Sequence, residues 1–291
     1  MANNIMAAKK FIPLLDEVYR SVSLTAKLDG AADLARQGAN ANELIIPMIE
    51  LQGLGNYDRN SGYVSGEVRL VNETVRCNFD RGRMFTVDNM DNAETAGLAF
   101  GRLAGEFIRT KVAPELDAFR FASYCAKEGI GKKEETLANG AAVLAALRTA
   151  SNAMDEAEVP MEDRHLFITP TLDGMIADLD TNKSREILAR FVSKTLVPQT
   201  RFYTKIDQKD GHTGGQEDGG YTKNSQGSEI NFMVIHKPAL IQFEKHVAPK
   251  IVTPEQNQQA DAYKYGYRNV GVADVYKNKA AGVYVSHKPV G

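Results

Sequence analysis

The stretch from Asn56 to Ala126 constrains this chain more than any other. A polar, Gly- and Arg-punctuated β-hairpin runs directly into a helical segment too long for an ordinary small domain. The hairpin reads as having little apolar surface with which to hold its own subunit, and an isolated two-stranded ribbon is marginal in water. Such a ribbon gains its stability from a partner. The expectation is a protein that lies against copies of itself.

Length and composition leave room for that. The 291 residues correspond to about two domains at ~150 residues each. Apolar content of 43 % and charged content of 25 % are ordinary for a chain that buries a core. The formal charge is −2, with Lys and Arg spread along the sequence. Tight nucleic-acid binding needs clustered basic residues that release counterions from phosphates. Any contact with nucleic acid is therefore expected to be weak and non-specific.

Cys77 and Cys125 are the two cysteines, too few for a disulfide framework or a four-thiolate zinc site. They read as reduced, buried thiols. Lys9, Lys10, Asp16 and Glu17 interrupt any signal-peptide core, and no apolar run approaches the ~20 residues of a membrane span. A soluble protein made in the cytosol is expected. The sequons Asn72-Glu73-Thr74 and Asn182-Lys183-Ser184 read as chance matches.

Residues 1–42 read as an N-terminal arm, with Phe11, Leu15, Val18 and Tyr19 on one helical stripe limited by Pro13. Residues 43–51 read as a strand that Pro47 places at an edge, and 53–62 is turn chemistry throughout. Val64, Val68 and Leu70 share one face of a strand, and Val75, Cys77 and Phe79 share one face of its partner. Asp91, three residues before Glu94, resembles a capping box. Phe100, Leu103, Phe107 and Ile108 then recur at helical spacing, and Leu116, Phe119 and Ala122 resume it. Between them Pro114 is expected to kink or split the helix.

From Glu134 the pattern becomes α/β. It predicts a helix over 141–157, a strand over 165–169, helices over 170–179 and 184–192, and a strand over 197–205. A flexible glycine loop at 211–220, a buried strand at 230–235 and a short helix near 238–244 follow. Alternating, aromatic-rich sequence from Val247 to Val285 cannot close a core alone. It is expected to pair around the long helix, making one domain discontinuous.

Tests for chemistry find no assembled site. The glycine loop lacks the Gly-Lys-Ser/Thr of a phosphate cradle, and Glu217 and Asp218 would repel a phosphate. Its acidic spacing also misses a calcium loop. His165, His212, His236, His246 and His287 are scattered, with no pair suited to zinc. His236, right after a buried strand, is the one most worth following. Ser65 is displaced from the Gly-x-Ser-x-Gly position of a nucleophile elbow. No catalytic residue, metal or cofactor is expected, and no enzyme activity.

Charged residues on the ribbon are another matter. Asp58, Arg59, Glu67, Arg69, Arg81 and Arg83 are candidates for intersubunit contact, because arginine suits bidentate carboxylate pairing across an interface. The competing reading is a set of solvated side chains that contribute little.

Taken in order, Tyr57 to Asp91, Phe100 to Tyr124, Val159 to Pro170, Asn231 to Pro238 and Asp261 to Ser286 resemble major capsid proteins of tailed bacteriophages with the Hong Kong 97-type shell fold. The resemblance implies an α+β fold: an N-terminal arm (1–42), an extended β-hairpin loop (43–90), a spine-helix peripheral domain (91–133 with 247–291) and an α/β axial domain (134–246). It implies a structural subunit that assembles as pentamers and hexamers into an icosahedral head enclosing double-stranded DNA. A separate scaffolding protein, a portal and decoration proteins would be its partners. The setting would be the virion, with assembly in the host cytoplasm and no membrane. Two alternatives stay open: an encapsulin-type compartment shell, and an α/β enzyme with a site near His236 and the glycine loop.

Overall fold

The computed structural model describes residues 22–30, 36–37, 43–90, 98–179 and 182–290. The helical stripe of the arm and the Asp91/Glu94 capping box lie outside them. In chain order, β1 (Arg36–Gln37), β2 (Glu43–Leu51) and β3 (Val68–Arg76) form one antiparallel sheet. Register runs from Glu43 opposite Arg76 to Leu51 opposite Val68. Among the described residues β1 covers β2 only at Leu44 and Ile45, so Pro47 has β3 on one side and no strand on the other, as an edge position allows.

The hairpin pairing differs from the expected one. Residues 64–70 and 75–79 are not two facing strands; 68–76 is a single strand, and its partner is 43–51. Alternation reports which faces are apolar but not which strand lies alongside. After β3 the chain turns at Asn78. Its side-chain amide donates to the Ala273 carbonyl and its oxygen accepts from the Ala273 N–H. The next strand, β4 (Phe79–Asp88), joins a different sheet.

The long helix follows as α1 (Leu98–Phe107), a π-helical turn (Ile108–Val112) and α2 (Ala113–Ala126). The helix does not split at Pro114. Proline has no N–H to donate, and its ring collides with the carbonyl four residues back. The widened turn just before it absorbs that conflict: Ala113 N–H bonds five residues back to Ile108, and φ and ψ stay helical.

Next come β5 (Gly131–Glu134), α3 (Gly140–Glu156), β6 (Arg164–Ile168), α4 (Pro170–Ala177), α5 (Asn182–Leu188) and β7 (Ser193–Leu196). The side chain of Asn139 caps α3 by accepting from Ala142 N–H at 2.9 Å. Gly140 lets that helix meet α4, since a Cβ there would sit 2.1 Å from the Met175 carbonyl oxygen. A small hairpin, β8 (Ile206–Gln208) and β9 (Tyr221–Lys223), carries the glycine loop at its tip. The chain closes with β10 (Ile230–His236), β11 (Leu240–Val252), β12 (Ala262–Val275) and β13 (Val283–His287).

A five-stranded sheet, ordered β5-β13-β10-β6-β7, is the rigid centre. Alternate residues of β10 face opposite cores. Phe232 and Val234 join Val143, Leu147 and Met154 of α3 on one side, while Met233 and Ile235 join Phe121 and Tyr124 of α2 on the other. A second sheet, ordered β11-β12-β4, packs Tyr265, Tyr267 and Phe79 beneath Ile108, Val112 and Leu116 of the long helix.

Three further expectations give way here. The strand sought over 197–205 lies earlier, at Ser193–Leu196, followed by a short 3-10 turn. The helix sought near 238–244 is a three-residue 3-10 turn leading into β11. Residues 131–133 and 283–287, which the resemblance placed in the spine-helix domain, belong to strands of the five-stranded sheet. An apolar strand carries no label for the sheet it enters, because either sheet satisfies its backbone and its alternation.

Candidate assembly surface

The β2–β3 hairpin stands out from both cores. At its base Val75 is buried against Ile241, Phe243 and Val272. Beyond that anchor Ile49, Leu51, Leu54, Tyr57, Tyr63, Val64, Val68 and Leu70 are each at least 60 % exposed. The ribbon thus carries much more apolar surface than its polar appearance suggested, and all eight of these side chains face outward. Sequence reading noted Val64, Val68 and Leu70 but not their exposure, because an apolar strand face looks alike whether its cover comes from the same chain or another.

Asp58 builds the tip of the ribbon. It accepts from the Asn60 N–H at 2.7 Å and bridges to Gly62, whose φ of +83° needs a glycine. The Asn60 N–H also holds its carboxyl below the usual carboxylate range. Tyr57 and Tyr63 meet edge to face across the turn, with ring centroids 4.9 Å apart. Arg59 is exposed at the tip, and Glu67 and Arg69 are exposed along the return. Arg69 lies opposite Glu50 in the register.

Arg81 and Arg83 sit elsewhere, on β4, and both engage their own chain. Arg81 is 2.8 Å from Glu115 of α2 and donates to the Lys209 carbonyl. Arg83 donates to the carbonyls of Glu217 and Asp218 at 2.9 and 2.8 Å. Together they clamp the glycine loop against the second sheet. Burial pushes the Glu115 carboxyl above its ordinary value, while Arg81 pulls it back.

The loop itself is a run of hydrogen-bonded turns. Asp210 accepts from His212 N–H, Thr213 N–H and the Thr213 hydroxyl, which lowers its carboxyl to about 2. Gly211, Gly215, Gly219 and Gly220 all take positive φ. Beneath it a cleft of about 520 Å³ is floored by Phe79, Phe107 and Tyr267 and rimmed by charges of both signs.

His236 does not share that cleft. It ends β10, where burial lowers its pKa, and His165 is lowered in the same way, with the Lys27 ammonium adding to the effect. Among the described residues no three His, Cys, Asp or Glu side chains gather to hold a metal. No helix among them is long and apolar enough to cross a membrane. Both thiols are free; burial pushes Cys125 up to about 12, and Cys77 is half-buried.

The architecture matches solved capsids. Cyanophage P-SCSP1u capsid aligns with a TM-score of 0.57 at 11 % identity, over 88 % of this chain and 86 % of that one. The chain has a phage-capsid fold. A structure from Mycobacterium phage Che8 aligns at 0.55 with 12 % identity over 85 % of both chains. A virus-like particle from Pyrococcus furiosus aligns at 0.57 with 12 % identity, over 94 % of this chain and 95 % of that one. No family model and no curated protein matches the sequence. The capsid fold is therefore a likeness of shape, with few side chains shared at this identity.

Proposed function

We propose that this chain is the subunit of a closed protein shell, built as pentamers and hexamers and enclosing phage double-stranded DNA. One observation carries the reading. Among the described residues a hairpin anchored at its base by Val75 exposes eight large apolar side chains, more than a soluble monomer leaves bare on so thin an element. A neighbouring copy would cover them. Asp58, Arg59, Glu67 and Arg69 would make the polar contacts around that seam, while Arg81 and Arg83 would present the clamped glycine loop. A separate scaffolding protein and a portal would complete the assembly, which would form in the host cytoplasm and persist in the virion.

The shell function asks for no catalytic group. Many modest contacts per subunit sum through multivalency, so no single interface has to be tight. A net charge of −2 leaves DNA confined rather than bound.

The test is removal of residues 53–66 from the full chain. The expected product is a folded, soluble subunit that forms no particles under electron microscopy. Normal particles from the deletion would overturn the role given to the hairpin. A second reading, a compartment that encloses protein, is favoured by the likeness to the Pyrococcus furiosus virus-like particle. Nuclease-protected DNA in particles from infected cells supports the first reading; a co-purifying enzyme in place of DNA supports the second.

A further inference from the structure

Residues 22–30 cross the molecule as a strap, and a buried aspartate on the long helix holds them. Asp117 is fully buried. It accepts from the Ser23 hydroxyl at 2.8 Å, Leu24 N–H at 3.0 Å, Thr25 N–H at 3.2 Å and the Thr25 hydroxyl at 2.7 Å. Arg201, from the segment after β7, reaches the same carboxylate at 3.3 Å. Beside it the buried Arg120 donates to Thr25 Oγ1 and pairs with Asp29 at 3.1 Å.

The strap touches both halves of the fold. Toward the second sheet, Gln242 of β11 donates to the Thr25 carbonyl and to Asp29, and Gly30 N–H returns to the Gln242 carbonyl. Toward the five-stranded sheet, Lys27 donates to Ser193 at 2.7 Å and to Thr195, and lies 4.8 Å over the Phe167 ring. Lys237 donates to the Lys27 carbonyl. Leu28, 1 % exposed, fills the core shared by Phe121, Phe167 and Phe202.

We propose that this strap is a lock on the joint between the two halves, with Asp117 as its catch. Each half keeps its own sheet, and between them lies one shared core in which Phe167 and Met233 meet Phe121, Tyr124 and Val275, so losing the strap loosens their relative orientation without unfolding either sheet. Apart from Leu28, which enters the core, the strap is held by hydrogen bonds that form one connected network around Asp117 and are lost together when that carboxylate is removed. Residues 1–21 run covalently into it, so whatever engages them acts directly on the joint. A subunit placed at both five- and six-fold positions needs such an adjustable angle. That consequence rests on the shell reading, but the lock itself is a property of the single subunit.

Two variants of the full chain test it, with Asp117→Asn removing the catch and the double variant Ser23→Ala, Thr25→Val removing two hydroxyl donors from the strap. Hydrogen exchange of 22–30 is expected to quicken about tenfold or more, as loss of charge-assisted hydrogen bonds implies, while β10 keeps its protection. Spin labels at Met84 and Val192, both exposed, in a Cys77→Ser background report the joint. Their distance distribution is expected to widen roughly twofold as the orientation is released.

Unchanged strap exchange in the double variant would overturn the proposal. So would strap and β10 losing protection together, or a distance distribution as narrow as before. Because every readout is taken on the unassembled subunit, failure of the lock and failure of the shell reading are separately visible.

Discussion

The β2–β3 hairpin and the five-stranded sheet are made of similar residues and meet opposite fates. All seven residues of β10 are buried, sandwiched between α2 and α3. On the hairpin the comparable side chains, Ile49, Leu51, Leu54, Val64, Val68 and Leu70, stay in water. Fully burying a side chain of this kind stabilises by about 1.5–3 kcal/mol, so the exposed set is a large unused driving force. One region thus supplies the subunit's own stability, and the other contributes little to it and stays available for association.

The largest loss is expected in the five-stranded sheet. Phe232→Ala should destabilise the subunit by about 3–5 kcal/mol, read as a fall in denaturant midpoint. Leu54→Ser with Tyr63→Ser should leave that midpoint within experimental scatter while abolishing particles. If the hairpin pair lowered subunit stability as much as Phe232→Ala does, the two regions would not be distinct.

Smaller in effect, Arg81→Ala should cost about 1–3 kcal/mol, because it strands the half-paired, poorly hydrated Glu115. Arg83→Ala, at a more exposed site, should cost less. Equal losses from both would mean that the Glu115 pair is not what holds the clamp.

Acid acts on the five-stranded sheet through two histidines, on β6 and β10. His165 and His236 have pKa values lowered from 6.5 by burial. Their contribution to stability is therefore present above 6.5 and is lost as the pH falls through the lowered folded values. Thermal melts of the subunit should drop over that window, and His165→Gln should flatten part of the drop.

The smallest effect belongs to the glycine loop. Asp210 is lowered from 3.8 to about 2, so its turn should persist above 3.8 and loosen only as the pH approaches about 2. Asp210→Ala should quicken exchange of the Thr213 amide at neutral pH and leave the melting temperature unmoved.

Much of the fold was legible in the chain before folding was considered. The helix expected over 141–157 appears as Gly140–Glu156, and the strand expected over 230–235 as Ile230–His236, because period and burial are local signals. Pairing was not legible. The partner of 68–76 proved to be 43–51, and 283–287 entered the five-stranded sheet rather than the one beneath the long helix.

The Asp117 catch escaped notice for a different reason. An aspartate on an amphipathic helix looks like any solvated charge until a segment 92 to 94 positions earlier in the chain arrives to bond with it. The surface around the hairpin was half legible: turn chemistry at 53–62 and the charged positions were on view. The outward direction of the apolar residues was not.

By itself the amino-acid order determined where the longest helices and the buried strand at 230–236 form, and where Pro114 disturbs the long helix. Those follow from steric preference and periodicity acting between near neighbours. Only the tertiary structure decided which strands pair, which arginines are spent within the chain, and which apolar side chains stay wet. Each of these is settled by what arrives from distant sequence to cover a group, and by whether anything arrives at all.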